Sequence, residues 1–344
     1  LEGTGTLDMS GARPRLDVRV NAPSIQLDDF PLPERIAEDP PRASRAEALR
    51  LTASKVVGQT ERLLGAGFLR RLDAYLDLEV QEVLSGSDRL ADGSLRVQVV
   101  DGRLFLGPAM VNIPGGTLRL AVAYDPTLSE IELAAGAYVE RFDYGIIARR
   151  LSRKDDTRGL FSMNLEFAGR APSLNTIMHH ANGRVDFAVW PTELRTGIFS
   201  LWSVNLVLSL VPLIDPGGDA HLNCVVGRFD LKDGKLPDDK MIIDTTRVRI
   251  RGTGSADLAS EKLAFVFRPR AKGFAPFRLQ TPLRASGTFT DFRFGIKRRD
   301  LLESILRLIA SPILLPIEWL TLGPLPRDGA DVCTNPLRAI DRER

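Results

Sequence analysis

The chain has 344 residues, of which 44% are hydrophobic and 26% charged, an ordinary globular composition that excludes a disordered or collagen-like chain. Lys and Arg total 46 against 44 Asp and Glu, so the strongly basic surface of a nucleic-acid-binding protein is not expected. Two Cys and three His are too few for the usual zinc site, and the Gly-rich stretches lack the signatures of phosphate and dinucleotide loops. We therefore expect no metal, no cofactor, no catalytic residue and no enzymatic activity.

The main pattern along the chain is alternation of apolar and polar residues with a period of two, which predicts strands with one dry and one wet face. In chain order the alternating runs are residues 16–20, 76–80, 95–99, 118–122, 131–135, 163–167, 185–189, 248–250, 265–267 and 289–296. The length of the chain fits two modules or one long one.

Pairs of residues that accept a positive φ separate many of these runs and predict tight hairpin turns. They are Asp92-Gly93, Asp101-Gly102, Gly115-Gly116, Asn182-Gly183 and Asp233-Gly234. A strand, turn and strand unit also recurs, at residues 3–20 and again at 252–267. Both features favour a mostly antiparallel, meandering sheet built from stacked hairpins.

Five segments have helical spacing of apolar residues: residues 45–72, 142–151, 174–180, 201–214 and 300–313. The Pro-rich, charged residues 29–45 predict a loop or linker. The apolar run 198–214 is shorter than the roughly 20 residues that a spanning helix needs, so we interpret it as not spanning.

These helices are too few to cover the apolar face of so many strands. A sandwich or barrel would cover that face internally, whereas a curved sheet would leave an apolar trough for a ligand such as a lipid acyl chain. We expect the second: a mainly β fold with an elongated, curved, mostly antiparallel sheet that forms an apolar groove, with a few short helices and an apolar C-terminal helical region. The groove-lining candidates are Leu118, Leu120, Val122, Met163, Leu165, Phe167, Val185, Phe187, Val189, Phe265 and Phe267. The pattern alone does not decide which face of each strand points into the groove, so a shift of this set by one residue stays open.

Two apolar segments are candidates for membrane or lipid contact. The first carries Trp202, Leu206 and Leu210, and is either a core helix or a segment that lines the trough or touches a membrane. The second carries Leu314 and Trp319, and either contacts an interface or packs across the end of the sheet.

Residues 222–234 and 242–258 resemble the C-terminal region of AsmA-family proteins. The shared pattern is a Cys-containing strand followed by F-D-x-x-D-G, D-T and G-x-G-x-x-D-L, and Leu263, Phe265, Pro269 and Arg270 continue it. The resemblance is specific over residues 180–297 and looser over 1–180. It implies three regions: β-groove repeats in 1–180 with a helical insertion near 45–72, an AsmA-like β region in 181–297 with an apolar helix at 201–214, and an amphipathic or apolar tail in 298–344.

The resemblance also implies a function. Such proteins are anchored by an N-terminal helix in the inner membrane of Gram-negative bacteria, lie in the periplasm, and resemble bridge-like lipid-transfer proteins. The expected partners are phospholipid, a membrane surface, and outer-membrane or periplasmic proteins, and the anchor is expected upstream of this chain. A periplasmic setting is oxidising, which leads to the hypothesis that Cys224 and Cys333 form a disulfide. The alternative is an assembly factor that docks outer-membrane protein precursors through strand edges.

Overall fold

The structure is a computed structural model that describes residues 2–26, 64–85, 88–146, 158–193, 221–272, 282–289, 291–295 and 325–336. Most of these residues are in strands. The strands are β1 (Glu2–Asp8), β2 (Arg15–Ala22), β3 (Ile25–Gln26), β4 (Asp73–Ser85), β5 (Asp88–Val100), β6 (Arg103–Ile113), β7 (Gly116–Asp125), β8 (Ile131–Asp143), β9 (Arg158–Ala171), β10 (Asn182–Glu193), β11 (Leu222–Leu231), β12 (Lys235–Thr245), β13 (Val248–Asp257), β14 (Lys262–Ala271), β15 (Leu283–Thr288) and β16 (Phe292–Gly295). The helices are α1 (Ala66–Leu69), a 3₁₀ helix (Leu174–His180) and α2 (Ala330–Cys333).

The strand order is β1-β2-β4-β5-β6-β7-β8-β9-β10-β11-β12-β13-β14-β15-β16, with β3 beside β4. The pairings β2–β4 and β3–β4 are parallel, whereas β4 to β8 and β11 to β16 pair antiparallel with their neighbours. Since the order has two ends, the sheet is not closed. The predicted fold class, mainly β with a mostly antiparallel open sheet and few short helices, is confirmed.

The chain divides into two compact units. Unit 1 comprises residues 1–142 and 164–183, and unit 2 comprises residues 143–163 and 184–344. The three regions expected from the sequence, with divisions at 180 and 297, stay a prediction.

Two hairpin turns form where the sequence predicts them. Asp101 and Gly102 join β5 to β6 with φ of 54° and 80°, and Asp233 and Gly234 join β11 to β12 with φ of 46° and 69°. Left-handed conformation at both central residues matches the right-handed twist of the flanking strands. These Asp-Gly pairs therefore set the antiparallel register on either side.

The turns predicted at Asp92-Gly93 and Asn182-Gly183 are wrong, because both pairs lie inside strands, in β5 and at the start of β10. Instead of forming a turn, each glycine allows the backbone of the neighbouring strand to approach closely. A Cβ on Gly93 would lie 2.3 Å from the Met110 carbonyl oxygen, and one on Gly183 would lie 2.1 Å from the Glu166 carbonyl oxygen.

Of the predicted helices, residues 174–180 form the 3₁₀ helix, and α1 lies within the predicted segment 45–72. The linker 29–45, the helices at 201–214 and 300–313, and residues 147–151 of the helix predicted at 142–151 lie outside the described residues, while residues 142 and 143 belong to β8. No helix in the described ranges is long and apolar enough to cross a membrane.

Unit 2 has a tightly packed core on one side of its strands. Its largest fully buried side chains include Phe265 at 1% exposure and Phe267 at 0%. The cluster consists of Val225, Met241, Ile243, Val248, Ile250, Ala256, Leu263, Phe265, Phe267 and Ala285. A smaller cluster consists of Ala188, Cys224, Val226, Ile242 and Val332.

The close approach at Gly183 gives a test of the strand assignment. Gly183→Ala forces the added Cβ against the Glu166 carbonyl oxygen, so we expect it to destabilise the chain by about 1–3 kcal/mol. Gly5→Ala in β1 is the matched control, since its Cβ would meet nothing closer than 4.0 Å. The urea midpoint of unfolding measures both variants, and equal midpoints would contradict the close packing of β9 and β10.

Candidate functional site

The strands of unit 1 present one apolar face. In β7, Leu118, Leu120 and Val122 point to the same side because successive residues of a strand alternate. The register places Leu120 beside Ala109 of β6 and Ala137 of β8, so the same side stays apolar in the neighbouring strands.

This face continues through β2, β4, β5, β6, β7 and β8. Directly paired residues share a face. The register pairs one apolar residue with the next across these strands: Val18, Leu76, Val97, Leu106, Val122 and Ala135. We define the apolar face of unit 1 as these residues and the ones two positions from them in each strand.

The opposite face of unit 1 is mixed, because it carries ion pairs together with exposed apolar side chains such as Phe105 and Met110. Arg96 Nε lies 2.6 Å from Asp77 Oδ1, Arg103 Nε lies 2.7 Å from Asp125 Oδ2, and Arg170 Nη2 lies 2.6 Å from Glu132 Oε1. Two adjoining depressions of about 760 and 630 Å³ also lie in unit 1, and the smaller one is mostly apolar and includes Leu106, Val122 and Ala135 of the apolar face in its lining. They share the lining residues Phe105, Ala123, Ala134, Ala168 and Asn182.

Burial distinguishes the two units. On the apolar face of unit 1, Leu76, Leu120 and Val122 are only partly buried. In unit 2, by contrast, Ile243 and Phe267 are fully buried at 0% exposure. Within the ranges that the structure describes, both hydrophobic core clusters belong wholly to unit 2. Among the described residues of unit 1, the apolar face therefore forms no such cluster, although Ala109 and Tyr124 on that face are individually buried.

The groove-lining candidates fall into two groups. The first belongs to unit 1: Leu118, Leu120, Val122, Leu165 and Phe167. The second belongs to unit 2: Met163, Val185, Phe187, Val189, Phe265 and Phe267.

These groups differ in what their side chains contact. Leu165 and Phe167 are partly buried and alternate with the exposed Glu166 and Ala168. Phe187 and Val189 pack against the unit 2 core, which contains Phe265 and Phe267. All five candidates of unit 1 are thus partly buried, whereas in unit 2 Phe265 and Phe267 are buried and the other four candidates are partly buried.

The membrane-contact candidates Trp202, Leu206, Leu210, Leu314 and Trp319 lie outside the described residues. Whether they contact a lipid or a membrane stays a prediction.

The C-terminal residues 325–336, named here the strap, are fastened to unit 2. A disulfide joins Cys224 of β11 to Cys333 of the strap, with Cα atoms 5.7 Å apart, as the sequence analysis expected. Trp190 Nε1 donates a hydrogen bond of 2.8 Å to the Cys333 carbonyl oxygen. Val332 packs in the smaller hydrophobic cluster, and Asn223 donates to the Arg327 carbonyl oxygen at 2.7 Å.

A buried network of charges lies beside the disulfide. Asp244, at 0% exposure, accepts hydrogen bonds from Arg249 Nε at 2.7 Å and Lys272 Nζ at 2.6 Å. Arg249 also donates to both carboxylate oxygens of Asp331, at 2.8 and 2.6 Å. Two acids thus balance two bases, and the partly exposed Asp331 supplies the second negative charge for the buried Arg249 and Lys272.

The pKa values of this network follow from its contacts. Burial lowers the pKa of Arg249, but its hydrogen bonds to Asp331 and Asp244 outweigh burial, so that the pKa is raised above its usual value. The hydrogen bond from Arg249 holds the pKa of Asp331 below its usual value of 3.8. At neutral pH, Asp331 is therefore ionised and paired.

The sequence analysis missed this network because Arg249 and Asp331 are 82 residues apart and no local motif connects them. The structure groups no three or more His, Cys, Asp or Glu side chains as a metal site, within the part of the chain that it describes.

Comparison with curated proteins finds a relative. The chain is similar to the AsmA family protein YhjG of Escherichia coli (strain K12), with 21% identity over 232 residues. The match covers 67% of this chain and 34% of YhjG, so the chain spans about one third of the length of that relative. No family model and no solved structure matches the chain. The relative supports the resemblance drawn from residues 222–270.

The lowered pKa of Asp331 predicts a pH dependence of stability. A carboxyl group whose pKa is depressed by folding stabilises the protein above its unfolded pKa, near 3.8, and this contribution is lost as pH falls through the lower folded value. Asp331→Asn should therefore be less stable than wild type at pH 7, and the difference should shrink below pH 4.

The control is Asp328→Asn, because Asp328 lies in the same strap but only accepts a hydrogen bond from the Ala330 amide. Urea unfolding at several pH values measures both variants. A loss of stability in Asp331→Asn that does not change with pH would contradict the ion pair.

Proposed function

We propose that this chain, a member of the AsmA family as its similarity to YhjG supports, binds phospholipid acyl chains on the apolar face of unit 1 and takes part in moving phospholipid between membranes. The observation that carries the proposal is the continuity of the apolar residues from Val18 in β2 to Ala135 in β8. Lipid transport and support of outer-membrane biogenesis come from the family resemblance.

Acyl chains suit this face for a physical reason. Burial of each CH₂ group contributes about 0.8 kcal/mol and needs no polar partner. The apolar face offers leucine and valine side chains that the described residues leave partly exposed, whereas the ion pairs of Asp77 with Arg96 and Asp125 with Arg103 lie on the other face. A lipid on the apolar face would keep its head group in water.

The setting and the extent of the activity are part of the proposal. The Cys224–Cys333 disulfide fits an oxidising compartment, which supports a periplasmic location. The chain corresponds to about one third of YhjG, so an inner-membrane anchor and a complete transfer path belong to the proposal for the whole protein. The proposed activity is non-enzymatic, because lipid diffusion along the face makes and breaks no covalent bond.

One observation favours a second function, in protein assembly. All seven residues of β1 are exposed, and among the described residues no strand pairs with β1 on the side away from β2. The unpaired backbone of an edge strand can add a strand from another chain. Under this alternative, β1 receives segments of outer-membrane proteins and the purified chain carries no lipid.

Adjacent residues of β7 provide a matched pair of variants. Val122→Asp places a charge on the apolar face, whereas Ala121→Asp places the same charge on the opposite face one residue away. We expect wild type and Ala121→Asp to retain phospholipid through purification and Val122→Asp to retain roughly tenfold less, a difference of about 1.4 kcal/mol.

Organic extraction followed by mass spectrometry measures the retained phospholipid per chain, and circular dichroism checks that both variants keep the β fold. A lipid-free wild type would reject the proposal and favour the assembly role. Equal loss in the two variants would show that binding does not use the apolar face.

A further inference from the structure

The strap covers a small apolar patch of unit 2. Val332, at 3% exposure, packs against Ala188, Val226 and Ile242, and Trp190 lies partly buried beside them. These side chains lie in β10, β11 and β12. Without the strap, this patch would face water.

The apolar contacts that hold the strap are few. Its helix α2 has four residues, and Val332 is the buried residue of that helix. So short a helix does not form on its own. The strap therefore keeps its conformation through its attachments to unit 2.

The free energy of the charged groups differs little between the docked and the undocked states of the strap. Docking pairs Asp331 with Arg249, which is 4% exposed, and places the Arg327 carbonyl oxygen 3.2 Å from Lys272 Nζ. Undocking removes these partners, but it also admits water to Arg249 and Lys272. Since burial of paired charges costs about as much as the pairing returns, this network alone does not fix the strap in place.

We propose that the redox state of Cys224 and Cys333 controls docking of the strap: the disulfide closes it over the patch, and reduction releases it. The two sulfurs differ in access, because Cys224 is 0% exposed whereas Cys333 is only partly buried. A dithiol reductant attacks Sγ of Cys333, the S–S bond breaks, and Cys224 leaves as a thiolate that takes up a proton.

The second thiol of the reductant then attacks the mixed disulfide and releases Cys333 as a thiol. The reductant ends as a disulfide, and the protein gains two electrons and two protons. Release uncovers Trp190, Val226 and Ile242 together with Arg249 and Lys272, a patch that is apolar and carries an excess of positive charge over Asp244.

Cleavage by trypsin after Arg327 tests the proposal. In the docked strap the Arg327 carbonyl oxygen accepts hydrogen bonds from Asn223 and Lys272, which hold this peptide bond away from the extended form that a protease needs. We expect dithiothreitol to speed this cleavage at least tenfold in the full chain, and Cys224→Ser/Cys333→Ser to be cut at the fast rate without reductant. Hydrogen exchange should show β12 and β13 still protected in both.

The ionic contacts give a second readout. Asp331→Asn removes the partner of Arg249, so it should speed cleavage further in the reduced chain and leave the oxidised chain slow. Slow cleavage after verified reduction, or loss of protection in β12 and β13 on reduction, would overturn the proposal, because the disulfide would then be redundant or a staple of the whole unit.

Discussion

A strand with alternating residues has an apolar side, and that side must be covered by something. In unit 1 the register aligns the apolar sides of β2, β4, β5, β6, β7 and β8 into one face, which its described residues leave partly exposed. In unit 2 the apolar side chains of the strands pack against one another, so that Met241, Ile250 and Phe267 are nearly or fully buried. The proposed function depends on this difference between the units.

Unit 2 is held together by interactions that unit 1 does not share within the described ranges. The Cys224–Cys333 disulfide, the Trp190 hydrogen bond and the Asp244 network all converge on the strap. Because Asp244 holds Arg249 and Lys272 together in a buried site, loss of any one partner would leave an uncompensated charge. These features fasten the strap to unit 2, whereas the proposed lipid-binding face belongs to unit 1.

Much of the fold could be predicted from the sequence because the period of two and the Asp-Gly turns are local. Asp101-Gly102 and Asp233-Gly234 form the expected hairpins. The turns predicted at Gly93 and Gly183 were wrong because the sequence does not distinguish a glycine that allows close backbone approach from a glycine in a turn. The parallel β2–β4 pair was missed because parallel neighbours are joined by a crossover and have no turn signal. Partners of Asp244 such as Lys272, 28 residues away, meet only in the folded chain.

The central claim is that acyl chains lie on the apolar face of unit 1. The most direct measurement is photocrosslinking of the purified chain with a phospholipid that carries a diazirine in its acyl chain, with the modified residues mapped by mass spectrometry. The account predicts modification at Leu106, Leu120 and Val122, which share that face, and none at Arg119 or Ala121. Modification spread equally over both sides of β7, or none in unit 1, would contradict it.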